Sequence, residues 1–361
     1  MSAELKGGIT TGSCAALAAK AAALLLFRHE RVEQVEIALP DGSRLMWPVA
    51  SLEQSNDTAE ASIIKDAGDD PDVTHGARIR VRLTRRDDHN VMFRAGHGVG
   101  TVTVPGLALA VGEAAINPVP RTMITAAIRE VTDHGVMVTV AVDGGEELAA
   151  KTFNPKLGIE GGISIIGTSG RVRPFSAPAL QQSLKCALDI CVASATTAPV
   201  FVPGNMGRNA ALRAFHLKAQ QVVEVSNEWG YMLEQAQAHP FTALLMLGHP
   251  GKLAKLAMGQ WNTHSGQSDS AVPFVADLAH QVVHHSLADT TTVEGVFMEQ
   301  LTAPQRRRVA DRLAEAIQRN TAETFPATWL PQVVLINLKG DILGSAGDLQ
   351  PWLRHLEEES L

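Results

Sequence analysis

The sequence predicts an α+β N-terminal domain, residues 1–195, followed by a Rossmann-like α/β domain with a mostly parallel sheet, residues 196–361. Three observations predict it. The chain has 361 residues, more than the ~100–200 of a typical domain. Hairpin and helix patterns mix in its first half. Its second half carries four apolar runs without polar alternation, spaced by helical stretches, as in a parallel sheet covered on both faces.

The elements follow in order. Thr11-Gly12-Ser13 opens an Ala-rich helix with two candidate N-caps. Val32, Val35, Ile37 and Leu39 lead through Asp41-Gly42 to Leu45, Trp47 and Val49, a hairpin with a turn dipeptide suited to positive φ. Ile79, Val81 and Leu83 alternate with Arg78, Arg80 and Arg82, a half-buried strand. A helix over 121–131, a strand over 136–142 and a longer helix over 176–193 complete the first part. The apolar runs that follow are 200–202, 222–225, 244–247 and 333–336, with helices over 209–218, 230–238 and 251–258 between them. The first three run into Pro203–Gly207, Ser226–Gly230 and Gly248–Lys252. In open α/β sheets ligands sit beyond the carboxyl ends of the strands, so these turns are the natural ligand-facing loops.

Charge and composition exclude some partners. The 31 Lys and Arg against 38 Asp and Glu leave a net charge of −7, and aromatic residues make up 4%. That balance argues against nucleic acid or an anionic membrane surface as the main partner, and against a base-stacking platform. Three cysteines without a CxxC or Cys/His grouping indicate neither a disulfide framework nor a structural zinc site. The apolar stretch from Cys14 to Phe27 lacks a basic leader and is short for a membrane span, so it reads as a buried helix of a cytoplasmic protein. Cys14 itself reads as a small buried residue.

Several stretches look like chemistry. Lys65–Ala77 holds Asp66, Asp69, Asp70, Asp72 and His75, which could ligate a metal or supply a general base. A turn built by Asp, Gly and Pro is the favoured reading, and the spacing does not match an EF-hand. Gly96–Thr103, with Gly98 and Gly100, lets a ligand approach backbone N–H groups, but lacks the GxGxxG and Walker spacings; a tight turn or bulge is equally acceptable. Arg121 stands in the first turn of a helix, where a cation is disfavoured, which points to a ligand role. Lys151, Asn154 and Lys156 precede Gly158–Gly170, whose end, Gly167-Thr168-Ser169-Gly170, is followed by Arg171 and Arg173. A solvated face explains many such runs, yet their place beside glycine turns points to carboxylate or phosphate recognition. Lys252 and Lys255 share one helix face just after His249, with Asn262-Thr263-His264-Ser265 beyond. No Gly-x-Ser-x-Gly elbow follows a strand, which disfavours a Ser–His–Asp hydrolase.

These residues resemble the CbiD family of corrin-ring methyltransferases over nearly the whole chain. The matching blocks are Thr10–Ala16, Lys65–Gly76, Gly98–Thr103 with Pro105–Leu107, Asn117–Arg121, Gly145–Glu147 with Lys151–Pro155, and Gly158–Gly170. Gly204–Gly207, Gly248–Lys252 and Asn262–Ser265 continue the match, while Asn227–Gly230 departs from the family's pattern and the stretch after Ser270 matches weakly. The resemblance implies methylation of cobalt-precorrin-5B at ring carbon C-1 by S-adenosylmethionine, giving cobalt-precorrin-6A in anaerobic cobalamin biosynthesis. Cobalt then travels with the substrate, and no metal is held by the protein.

Under that resemblance the candidate residues take roles. Methyl transfer is an in-line displacement dominated by alignment, and a carboxylate or His can remove or hold a ring proton and offset sulfonium charge. Asp66, Asp69, Asp70, Asp72 and His75 are the candidates for that work. Gly98, Gly100, Gly167, Thr168, Gly170, Gly204, Asn205, Gly207 and His249 are candidates for seating the cofactor. Lys65, Arg121, Lys151, Asn154, Arg171, Lys252, Lys255, Asn262 and His264 suit a corrinoid polycarboxylate. A positive cleft is therefore expected in an acidic protein, with homo-oligomerisation left open. The residues read alone leave two alternatives: a metal-dependent hydrolase using the Asp cluster, and a non-catalytic tetrapyrrole-binding protein.

Overall fold

The computed structural model describes residues 5–174, 176–215, 217–284, 288 and 290–353. They form two units, Met1–Ala177 and Pro178–Leu361. The division falls before the helix over 177–193, where the sequence reading placed it after that helix. Leu184, Leu188 and Cys191 of the helix are buried in the same apolar cluster as Phe201 and Trp229, which assigns it to the second unit.

The first unit begins with the short strand β1 (Gly8–Ile9) and helix α1 (Thr11–Arg28). The Thr10 hydroxyl accepts the Ser13 N–H at 3.1 Å, satisfying one of the helix's free N-terminal donors. Every residue from Thr11 to Ala19 is buried. Alanine side chains keep this helix thin, so strands and a second helix approach it closely on several sides. An 83% buried span of this length and hydropathy is thus a core helix of the fold. His29, at φ 58°, ends it.

Strands β2 (Gln34–Ala38) and β3 (Arg44–Pro48) form the hairpin around Asp41-Gly42. Strands β4 (Ser51–Ser55), β5 (Thr58–Ile64), β6 (Arg78–Arg86) and β7 (Val91–Ala95) follow, then short β8 (Gly98–Val99) and β9 (Thr101–Val102). Helix α2 (Pro118–Arg129), strand β10 (Gly135–Val142) and helix α3 (Gly145–Ala149) lead to β11 (Ile159–Glu160), β12 (Gly162–Ile163) and β13 (Arg171–Val172). The main sheet runs β4-β5-β6-β10-β7, antiparallel except for the parallel pair β10–β7. Ile79, Val81 and Leu83, with Val136, Val138, Val140 and Val142, are buried in one core with α1. The intervening Arg78, Arg80 and Arg82 take the other face, as period-2 alternation requires.

The second unit starts with α4 (Ala177–Ala193) and β14 (Val200–Val202), followed by α5 (Asn205–Phe215), β15 (Val222–Glu224), α6 (Trp229–Gln237), β16 (Leu244–Gly248) and α7 (Pro250–Ala257). Helices α8 (Val272–Val283), α9 (Val293–Glu299) and α10 (Ala303–Thr324) precede β17 (Pro331–Ile336), β18 (Ile342–Ala346) and α11 (Gln350–Leu353). The sheet order is β15-β14-β16-β17-β18, the first four parallel and β18 antiparallel.

Each central strand feeds two cores. Phe201, Met246, Val333 and Leu335 join a cluster with residues of α6, α7 and α10, while Val200, Val202, Leu245, Leu247, Val334 and Ile336 join one with α5 and α11. That double burial is why the runs lack polar alternation. Helix α5 spans Asn205–Phe215, four residues earlier in its start and three in its end than the expected 209–218.

Candidate functional site

In the first unit, three segments meet around the start of α1. The Asp-rich loop after β5 lies against the chain at 6–9: Lys6 N–H donates to Asp69 Oδ2 at 2.6 Å, Lys6 Nζ lies 2.9 Å from Asp66 Oδ2, and Ile9 N–H donates to the Asp66 carbonyl. The loop 166–172 closes the other side. Ile9 pairs with Arg171, Ser13 Oγ donates to the Gly170 carbonyl at 2.6 Å, and Thr11 Oγ1 exchanges bonds with Ile166. Gly167 and Gly170 have φ 136° and 77°, and a Cβ on Gly167 would stand 2.3 Å from Thr10 Oγ1. Only glycine closes this wrap around the helix cap.

Within the Asp-rich loop the carboxylates bind their own chain. Asp66 Oδ1 accepts the Gly68 N–H at 2.8 Å, and that bond, with Lys6, holds its carboxyl below the usual range. Asp72 Oδ1 accepts both the Thr74 N–H and hydroxyl, and its Oδ2 accepts Lys65 Nζ at 2.7 Å. Burial pushes the Asp72 carboxyl up, but Lys65 and Thr74 outweigh it and the net shift is downward. Lys65, expected on the substrate, is 2% exposed. His75 Nδ1 accepts the Ala67 N–H at 3.1 Å, so the neutral ring carries its proton on Nε2. In that form His75 offers a hydrogen-bond donor at Nε2. Burial pushes the Cys14 thiol up to about 12, as a small core residue would have it.

Other candidates of this unit serve the chain as well. Arg121 donates to the Ile116 and Ala114 carbonyls and to Glu113, at 2.8, 3.2 and 3.1 Å, bracing the loop before α2. A Cβ on Gly98 would stand 2.1 Å from the Val142 carbonyl, and one on Gly100 2.4 Å from Ile159 Cγ2. These glycines let β8, β10 and the 158–163 segment cross at backbone distance. Asn154 is buried and donates to the Gly162 carbonyl at 3.1 Å. Lys151, Thr168 and Arg171 are exposed.

In the second unit, the chain leaves β14 toward β15 on one side and returns to β16 on the other, so the sheet's switch point lies at the carboxyl ends of β14 and β16. The two loops there touch: a Cβ on Gly248 would stand 3.0 Å from Pro203 Cδ. A Cβ on Gly204, by contrast, would meet nothing within 4 Å. Asn205 is exposed, whereas Gly207 packs beneath, near the Val202 side chain.

Around β16 a polar network joins five segments. His249 caps α7, its Nδ1 accepting the Gly251 N–H at 3.0 Å, and its Nε2 lies 2.9 Å from Glu294 Oε2. Lys252 Nζ donates to Asn227 Oδ1 at 2.9 Å, which also accepts the Thr263 hydroxyl. Lys255 is 7% exposed and donates to the Thr263 carbonyl and Ser268 Oγ. Asn262 and Gln181 both donate to the Glu228 carboxylate at 2.8 Å, and His264 folds back on the Gly266 N–H. The structure thus brings His249, Lys252, Lys255 and Asn262 together. It adds Asn227 and Glu228, from a loop the sequence marks as ligand-facing but without a role for these residues, and Glu294, which the sequence does not mark at all. Glu294 follows the N-cap Thr292 in the first turn of α9, a placement that reads as a helix-dipole acid. Among the described residues, no three His, Cys, Asp or Glu side chains gather as metal ligands.

The chain as a whole is similar to known proteins. A family model described as CbiD matches residues 1–174. A cobalt-precorrin-5B C(1)-methyltransferase of Syntrophotalea carbinolica is 51% identical over 350 residues, covering 97% of this chain and 99% of that one. One from Moorella thermoacetica is 40% identical, covering 94% and 95%, and one from Methanocaldococcus jannaschii is 36% identical, covering 94% and 96%. The crystal structure of a cobalamin biosynthesis protein (cbiD) from Archaeoglobus fulgidus shares 29% identity over 72% of this chain and 82% of that one, with a TM-score of 0.38. With relatives this similar from end to end, the chain belongs to the CbiD family.

Proposed function

We propose that this chain is an S-adenosylmethionine-dependent C-methyltransferase that methylates cobalt-precorrin-5B at C-1, giving cobalt-precorrin-6A. The observation that carries this reading is the 51% identity to a cobalt-precorrin-5B C(1)-methyltransferase over 97% of the chain. In it, an α+β domain precedes a Rossmann-like domain, and the enzyme works in the cytoplasm on a small corrinoid polycarboxylate whose cobalt is part of the substrate.

S-adenosylmethionine, when bound, supplies an electrophilic methyl group. Gly204 has open space where a side chain would stand, on a loop at the switch point, and we assign Gly204 and Asn205 to seating the donor, with Gly207 and His249 supporting the two loops from within. Both ring nitrogens of His249 are engaged, Nδ1 by the Gly251 N–H and Nε2 by Glu294, so its part is to hold this loop in shape. The exposed Lys151, Arg171 and His264 are assigned to carboxylates of the corrinoid. Asp70 and His75 are assigned to the ring, Asp70 to accept the proton released as the methyl group is added and His75 to offer its Nε2–H as a hydrogen bond. Asp66, Asp69 and Asp72 support the loop that presents them.

Calorimetric titration of the purified chain with S-adenosylmethionine and S-adenosylhomocysteine, with and without a corrinoid, tests the reading. Binding of both nucleosides is expected. Absence of binding in every condition overturns it, and corrinoid binding alone favours a carrier.

A further inference from the structure

Lys252 and Lys255 stand one turn apart in the first two turns of α7, immediately after β16. Their acceptors are all neutral: Asn227 Oδ1 for Lys252, the Thr263 carbonyl and Ser268 Oγ for Lys255. Among the described residues no carboxylate pairs with either ammonium, while nearby Glu228 and Glu294 are bonded to Gln181, Asn262 and His249. Three bonds are made by six ammonium N–H groups, which leaves three donors. Two partly or fully buried like charges without a counter-charge are costly to keep folded. Burial, with Lys255 adding, holds the Lys252 ammonium below its ordinary range. The repulsion is relieved by an anion, and the free donors match the two oxygens of one carboxylate.

We propose that Lys252 and Lys255 together hold one carboxylate of a bound ligand at the carboxyl end of β16. This rests on the methyltransferase reading, which offers two sources: an acid side chain of the corrinoid, or the methionyl carboxylate of the methyl donor. Asn227 and Thr263 keep the pair in place, since Asn227 Oδ1 bonds both Lys252 and the Thr263 hydroxyl.

The test is calorimetry on the full chain with three probes: S-adenosylhomocysteine, a corrinoid polyacid, and the methyl ester of that corrinoid. Lys252→Met is expected to weaken one probe by about 10- to 100-fold, the range for a charge-assisted bond. Lys252→Arg keeps the charge on a larger, forked group and is expected to lose less than Lys252→Met. Lys252→Glu supplies Lys255 with an internal partner, so it is expected to abolish that binding without lowering Tm. Loss confined to S-adenosylhomocysteine assigns the site to the donor; loss for the polyacid but not its ester assigns it to the corrinoid. Parent protein that binds both ligands, with Lys252→Met and Lys252→Glu unchanged for both, overturns the lysine site alone. Parent protein that binds neither overturns the methyltransferase reading itself, and this site with it.

Discussion

The Lys65 ammonium is buried beneath the Asp-rich loop and donates to the Asp72 carboxylate at 2.7 Å. Asp72 also accepts two bonds from Thr74, so one side chain both shapes the turn and neutralises a buried cation. Asp72→Ala leaves that cation unpaired and is expected to destabilise the chain by about 3 kcal/mol. Lys65→Met with Asp72→Leu removes both charges and is expected to recover the part of the loss due to the unpaired cation, leaving that of the two Thr74 bonds. Urea unfolding of the two variants checks this; equal losses would show that the ion pair is not what matters.

Acid sensitivity follows from the same loop. The carboxyls of Asp66 and Asp72 are both held below their usual range. A carboxylate with a depressed folded value lends stability that is fully present above its unfolded value, about pH 4, and is lost as pH falls through the folded one. Stability is therefore expected to drop more steeply below pH 4 in the parent than in Asp66→Asn. Parallel unfolding curves from pH 7 to pH 2 would contradict this.

Two glycine variants separate scaffold from site. Gly98 has φ 74° and no room for a Cβ against the Val142 carbonyl, so Gly98→Ala is expected to cost at least about 2 kcal/mol. Gly204 has open space, so Gly204→Ala is expected to keep the parent Tm and to weaken ligand binding instead. Thermal melts paired with calorimetry read both effects, and the reverse pattern contradicts the assignment of the two loops.

The sequence announced the parallel sheet because residues such as Val200 and Phe201 enter opposite cores, leaving no polar face to alternate. It announced β6 for the opposite reason, since Arg78, Arg80 and Arg82 have no core to enter. Strand β18 escaped, its Gly344 and Ser345 breaking the apolar run. Glycine runs were the least legible feature. Gly98 and Gly162 pair in register so that backbones can cross, and composition alone does not distinguish a crossing chain from an approaching ligand. Glu294 was invisible because its partner, His249, is brought to it only by the fold.

The central claim is transfer of a methyl group to the corrin ring. The most direct measurement incubates the chain with methyl-labelled S-adenosylmethionine and cobalt-precorrin-5B, then follows the label by mass spectrometry. The label is expected on C-1 of the corrinoid, with one S-adenosylhomocysteine released per product. Label that stays wholly on the donor, in a preparation that binds both compounds, would contradict it.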